Sequence, residues 1–203
     1  MSRRSRRVTT RVTSAAAGLL LVAAATGACN EDDGSTATSG EGGATATVAP
    51  TEPAVLTEVT YGEVTGRLPA KIRQRLSDQV GGVVDGWIDA AYVGGDYPRR
   101  DFSASWPGFT AGAQAQARQD RALMSNDDIG DRIDGVEPVL RRVRLDVLAV
   151  DQHPQAVTAH VDLRFTTSGA RARKVLVRGR LFLTQGKQGW QVFGYDVTKG
   201  AAR

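Results

Sequence analysis

VTAHVDLRF, residues 157–165, alternates without a break: Val157, Ala159, Val161, Leu163 and Phe165 fall on one side, and Thr158, His160, Asp162 and Arg164 on the other. A period of two sustained over nine residues marks a β-strand with one buried and one wet face. The preceding stretch behaves alike, because Val143, Leu145, Val147 and Ala149 alternate with Arg142, Arg144, Asp146 and Leu148, and Asp151-Gln152-His153-Pro154 supplies a turn. Beyond Ser168-Gly169 come Val175 to Thr184 and, after a hairpin at 186–189, Trp190 to Thr198. Four strands joined by short turns make an antiparallel meander.

Upstream the period lengthens to that of a helix. Between Ala70 and Val93, Ile72, Leu76, Val80, Val83, Val84, Trp87, Ile88, Ala91 and Tyr92 recur at three- and four-residue steps. Leu68-Pro69 suits the start of this helix and Gly94-Gly95 its end, while Gly81, Gly82 and Gly86 each weaken it by about 1 kcal/mol relative to Ala. Phe102 and Trp106-Pro107 predict a short helical turn, Thr110 to Met124 a second helix, and 126–135 an acidic loop. Val55 to Val64 reads as a short edge strand or an extended lead-in. Helices segregated ahead of an antiparallel meander define an α+β fold, with helices packed on one face of a curved sheet of about four strands.

The N-terminal residues belong to no such pattern. Arg3, Arg4, Arg6, Arg7 and Arg11 precede an apolar stretch, GLLLVAAA at 18–25, as in a secretory signal. The span is short of the roughly 20 apolar residues of a membrane helix, although an uncleaved anchor is the alternative. The Arg pairs also admit the twin-arginine export route beside the general one. Thr26-Gly27-Ala28-Cys29 resembles the lipobox of bacterial lipoproteins, with Thr26 where an aliphatic residue is usual. That resemblance implies diacylation of the Cys29 sulfur, signal removal after residue 28, and residence on the extracytoplasmic face of the cell membrane. Cys29 is the chain's one cysteine, so no intrachain disulfide competes for it. The alternative is an ordinary secreted N-terminus cleaved after Ala28.

The charge divides along the same boundary. The whole chain carries a formal +4, but residues 1–28 hold five Arg and no acid, leaving the remainder close to −1. A nucleic-acid partner therefore loses its support. Residues 29–60 contain six acids and no Lys or Arg among Gly, Ser, Thr and Ala, the composition of a disordered tether. Such a tether reaches roughly 30 Å on average and about 100 Å at full stretch. The globular domain is then 61–203. Arg outnumbers Lys 22 to 4, as in proteins of high-GC actinobacteria.

The order of helices followed by long strands, closing on WQVFGYDV at 190–197, resembles the nuclear transport factor 2-like cone, with cystatin-like folds sharing much of that order. The resemblance spans residues 65–200 and implies a cavity between the long helix and the sheet, where Trp87, Tyr92, Trp106, Phe182 and Tyr195 either line a pocket or fill it. Its members include binding proteins, isomerases, dehydratases and lipoproteins. Two readings follow: a lipid-anchored binding or accessory module whose partners are the membrane and an envelope protein or small hydrophobic ligand, or an isomerase- or dehydratase-like enzyme using His160, Asp162 or Asp196 as base.

No catalytic signature stands out. His160 and Asp162 share the wet face of their strand, and His153 sits in a turn. Asp127, Asp128, Asp131 and Asp134 lack the spacing of a calcium loop, and two His with one Cys make a poor zinc set, so neither a metal nor a cofactor is expected. Residues 138–203 hold twelve basic and four acidic side chains, which predicts a positive outer sheet face built from Arg141, Arg142, Arg144, Arg164, Arg171, Arg173, Lys174, Arg178 and Arg180.

Overall fold

A computed structural model describes residues 55–202. Cys29, the signal segment and the tether up to residue 54 lie outside the described residues. The described chain is α+β: β1 (Glu58–Thr65), α1 (Ala70–Ile88) with a π-helical extension (Asp89–Val93), α2 (Ala111–Gln119), α3 (Arg121–Met124), β2 (Gly135–Val150), β3 (His153–Ser168), β4 (Arg173–Gly186) and β5 (Gly189–Ala201). No helix among the described residues is long and apolar enough to cross a membrane.

The sheet has five strands in the order β1-β2-β3-β4-β5. β2 to β5 form the antiparallel meander, and β1 adds a fifth strand that runs parallel to β2. The lead-in is therefore an edge strand, and the domain begins before residue 61, because Glu58, Val59 and Thr60 already pair with Arg142, Val143 and Arg144. The strands are also longer than their alternation suggested. β2 turns into β3 through Asp151 and Gln152, both at positive φ, so His153 and Pro154 already belong to the strand. Pro138 stands beside the β2 irregularity at 138–140 and outside the stretch that β1 pairs, which begins at Arg142, a setting in which a strand tolerates proline.

The middle of the inner sheet face is apolar. Val143, Leu145 and Val147 of β2, Val157 to Phe165 of β3 at every second residue, and Val177, Leu181 and Leu183 of β4 are all buried. Against them lies the apolar stripe of α1, Leu76, Val80, Val84, Trp87 and Ile88, continued by Ala91 and Tyr92. The Pro69 carbonyl receives the amides of Ile72 and Arg73 at 3.0 and 2.9 Å and sets the helix start. Gly81 earns its place: a Cβ there would stand 3.2 Å from Val59, so the helix approaches β1 closely at that point. The Thr110 hydroxyl caps α2 by accepting from the Ala113 amide at 3.3 Å, and the Thr110 amide donates to the Val192 carbonyl at 2.9 Å, fastening the cap to β5. Asp120 interrupts the second helix between α2 and α3.

Segment 126–135 is not a simple solvated loop. Asn126 is fully buried, its Nδ2 donates to the Tyr92 carbonyl at 2.9 Å, and its own carbonyl receives the amides of Ile129 and Gly130. Three of its four acids are engaged by bases: Asp127 pairs with Arg121 at 3.1 Å, Asp131 with Arg132 at 3.5 Å, and Asp128 with both Lys199 and Arg173.

Candidate functional site

The five aromatics assigned to the cone interior separate onto two faces. Trp87, Tyr92, Trp106 and Tyr195 lie on the helix side of the sheet, whereas Phe182 lies on the outer side. Its flanking residues decide this, because Leu181 and Leu183 occupy the inward positions and a strand alternates. Phe182 instead packs against Phe193 with centroids 6.4 Å apart, beneath the Arg180 guanidinium. Trp87 and Tyr92 are 0 % exposed and meet edge to face at 5.4 Å, while Phe109 bridges Trp87 to Tyr195 at 6.1 and 6.4 Å. Residues without surface fill the interior between the C-terminal half of α1 and the sheet, whereas a cleft of about 320 Å³ opens between Ile72, Leu76 and Gln79 of α1 and Pro154 and Gln185 at the strand ends.

The buried polar tips of these aromatics have partners. The indole N–H groups of Trp87 and Trp106 both donate to the Met124 carbonyl, at 3.2 and 3.3 Å, and the Tyr92 hydroxyl donates to the Leu123 carbonyl at 2.6 Å. The Tyr195 hydroxyl donates to the Asp120 carboxylate at 2.7 Å. Burial, reinforced by that carboxylate, pushes the Tyr195 phenol far above its usual 10.0.

The outer face carries charge in two rungs across the strands. One runs Glu58, Arg142, Asp162, Arg178, Thr198, and the next Thr60, Arg144, His160, Arg180, Asp196. Arg142 pairs with Glu58 at 3.0 Å, Arg178 and Arg164 with Asp162 at 2.8 and 3.2 Å, and Arg180 with Asp196 at 2.5 Å. Opposite charges placed directly across a sheet stabilise its pairing. The expected positive face is thus a largely compensated ladder. Two of its supposed members serve elsewhere: Arg173 holds Asp128, and Arg141 turns to the helix side, 11 % exposed, where it pairs with Asp85 at 3.0 Å and Asp89 at 2.9 Å. Arg141 follows the alternation of Val143 and Leu145 and stands opposite Leu163 on the inward phase, and the two acids stand one turn apart on α1 and its extension.

Between the rungs is an open groove of about 340 Å³, lined by Thr60, Arg142, Arg144, His160, Asp162, Arg178 and Arg180. His160 Nε2 lies 2.7 Å from the Asp146 carboxylate, not beside Asp162 in a working pair. Burial pushes the Asp146 carboxyl up, but the Glu63 amide, His160 and Arg144 outweigh it and leave the group below the usual range. Asp162 likewise falls below that range, since Arg164 and Arg178 overcome its desolvation. Both carboxylates stay ionised at neutral pH, which suits them to ion pairing and hydrogen-bond acceptance; a general base works best with a pKa nearer the operating pH. His160, Asp162 and Asp196 all face away from Trp87 and Tyr92.

Lys199 is a residue that sequence reasoning passed over. Its side chain is 6 % exposed, and its Nζ donates to the carbonyls of Ala122 and Ser125 at 3.0 and 2.7 Å and to Asp128 at 2.5 Å. The signal was present in the phase of β5, where Val197 and Lys199 both fall on the inward side. Burial draws the Lys199 pKa below its usual 10.5 even against the pull of Asp128.

These buried groups fix an alkaline response. Burial raises the phenols of Tyr61, Tyr92, Tyr97 and Tyr195 above 10.0. The folded state therefore holds their protons more tightly than the unfolded chain, a contribution complete below pH 10 and lost as pH rises beyond it. Lys199, with its lowered pKa, works the opposite way, one group against four. The urea midpoint is expected to stay level up to about pH 10 and to fall above it; a midpoint that climbs above that value would show the lysine to dominate.

No family model, curated protein or solved structure matches the chain.

Proposed function

We propose that this is a lipid-anchored protein of the extracytoplasmic membrane face, acting as a binding or accessory module of the cell envelope. The observation that carries the reading is Cys29, the one cysteine, standing directly after Thr26-Gly27-Ala28 at the end of an apolar segment. The 25 residues between Cys29 and the first described residue would hold the domain within about 90 Å of the bilayer, and its partners would be the membrane and an envelope protein or small ligand.

The domain is, in this proposal, a nuclear transport factor 2-like cone. Support comes from the long helix laid across a four-strand antiparallel meander, with β1 as an added parallel edge. The filled interior favours recognition at the surface over chemistry inside a cone pocket. The isomerase- or dehydratase-like alternative is set aside because its proposed bases stand on the opposite face of the sheet from the aromatics.

Radiolabelled palmitate and membrane fractionation test the anchor. The unaltered chain is expected to take up label and sediment with membranes; Cys29→Ala is expected to lose the label and move to the soluble fraction. A Cys29→Ala protein that remains fully membrane-bound would sink the lipid reading in favour of an uncleaved helix.

A further inference from the structure

Another cavity, of about 280 Å³, lies away from the outer sheet groove, where the 94–109 connection meets α2 and α3. Arg100 comes from the connection, Arg118 from the end of α2 and Arg121 from the start of α3, so three separate segments bring guanidinium groups to one opening. Two acids share the lining: Asp127 is paired with Arg121 at 3.1 Å, whereas Asp101 accepts the Ser103 amide at 2.8 Å and keeps its charge, so three bases against two acids leave the lining with one net positive charge. Among the described residues, neither Arg100 nor Arg118 forms an ion pair with a carboxylate, in contrast to the compensated Arg ladder on the sheet.

Two aromatic rings add a rigid apolar part to this otherwise charged lining. Phe102 and Trp106 are each 4 % exposed, so only a small part of either residue reaches the cavity. Both rings are held from behind: Arg99 stacks 4.1 Å over Phe102 while donating to the carbonyls of Ala90, Gly94 and Asp101, and Trp106 donates to Met124. A site whose walls are already fixed loses less entropy on binding.

We infer that this cavity is a binding site for a small organic oxyanion, a carboxylate or phosphate carried on a flat apolar body. Arg100 and Arg118 supply the fork-shaped donors that oxyanions accept, Ser103 adds a hydroxyl to the lining, and Phe102 and Trp106 offer the apolar contact. The volume sits just below the range usual for drug-sized ligands, which limits the occupant to about the size of a benzene ring with one acidic group. The assignment rests on the binding-module reading but not on the anchor, so the outcome for Cys29→Ala leaves it untouched.

The three tryptophan indole N–H signals of the full chain make the test specific, because Trp106 lines the cavity while Trp87 is sealed in the core and Trp190 lies in β5. Benzoate and phenyl phosphate are titrated in turn, with benzyl alcohol as the uncharged ring, and Trp106→Phe assigns the signal. A saturable shift of the Trp106 resonance with either anion, absent with benzyl alcohol, is expected; whichever anion binds tighter identifies the acidic group. Arg100→Ala and Arg118→Ala, both at exposed positions, are expected to weaken binding about tenfold each while leaving the Trp87 and Trp190 signals in place. The inference is overturned by equal shifts with benzyl alcohol, by unchanged affinity in both arginine variants, or by no saturable shift up to about 10 mM anion.

Discussion

Trp87→Ala is expected to lower the stability of the domain by about 3–5 kcal/mol, the usual cost of truncating a buried indole. The site offers no means of collapse. Trp87 is sealed between α1 and the sheet, with Tyr92 edge-on at 5.4 Å and Phe109 at 6.1 Å, and both neighbours are themselves pinned, Tyr92 by the Leu123 carbonyl and Phe109 within a segment hydrogen-bonded to β5. The cavity left behind would persist. The lost hydrogen bond adds little, because the Met124 carbonyl keeps the Trp106 indole as a donor. Trp87→Phe, which loses that N–H but retains most of the packing, is therefore expected to cost clearly less. Thermal unfolding followed by circular dichroism should show a drop on the order of 10 °C for the alanine variant. Equal midpoints for Trp87→Ala and Trp87→Phe would mean that the packing argument is wrong.

Gly179→Ala is expected to be nearly as damaging, at about 3 kcal/mol, for a different reason. Gly179 of β4 lies opposite Val161 and Val197, and a Cβ built on it falls 2.2 Å from the Asp196 carbonyl oxygen and 2.6 Å from the Val197 Cα. Both obstacles are backbone, so no side chain can swing aside, and β5 must separate from β4. Amide exchange confined to the β4–β5 pairs should rise in step with the loss of stability. Gly82→Ala is the matched control: nothing stands within 4 Å of its Cβ, and a helix interior gains roughly 0.5–1 kcal/mol from the change. Should Gly179→Ala prove neutral, the close approach of the two strands does not constrain the fold.

The elements were legible wherever one face of an element is apolar and the other wet. The nine residues from Val157 to Phe165 announce β3, and the stripe from Leu76 to Tyr92 announces α1 with its π-helical end. Phe182 was legible too, since Leu181 and Leu183 fix the phase of β4; a preference for placing aromatics inside overrode that phase. Its placement shows that position in the alternation outweighs residue type. The same rule applied to β5 would have put Lys199 indoors.

The charged residues were legible in number but not in arrangement. Twelve bases against four acids in 138–203 suggested a positive sheet, yet partners arrive from elsewhere: Glu58 from β1, Asp85 and Asp89 from α1 and its extension, and Asp128 from the 126–135 segment. Sequence separations of 45 to 84 residues divide these pairs, and no local pattern encodes them. The three-arginine cavity escaped for the same reason, being assembled from three segments that show no common motif.

By itself, then, the sequence determined the α+β class, the order and faces of its strands and long helix, and the placement of a lone cysteine behind an apolar segment, because periodicity and composition are properties of neighbouring residues. Tertiary structure alone decided that β1 pairs parallel with β2, that the interior is filled, that the outer arginines are neutralised while Arg100 and Arg118 are not, and that Lys199 is buried. Those outcomes depend on which distant residues register across a sheet or converge at a loop, and Coulomb and packing energies act on distance in space, which the order of residues along a chain does not specify.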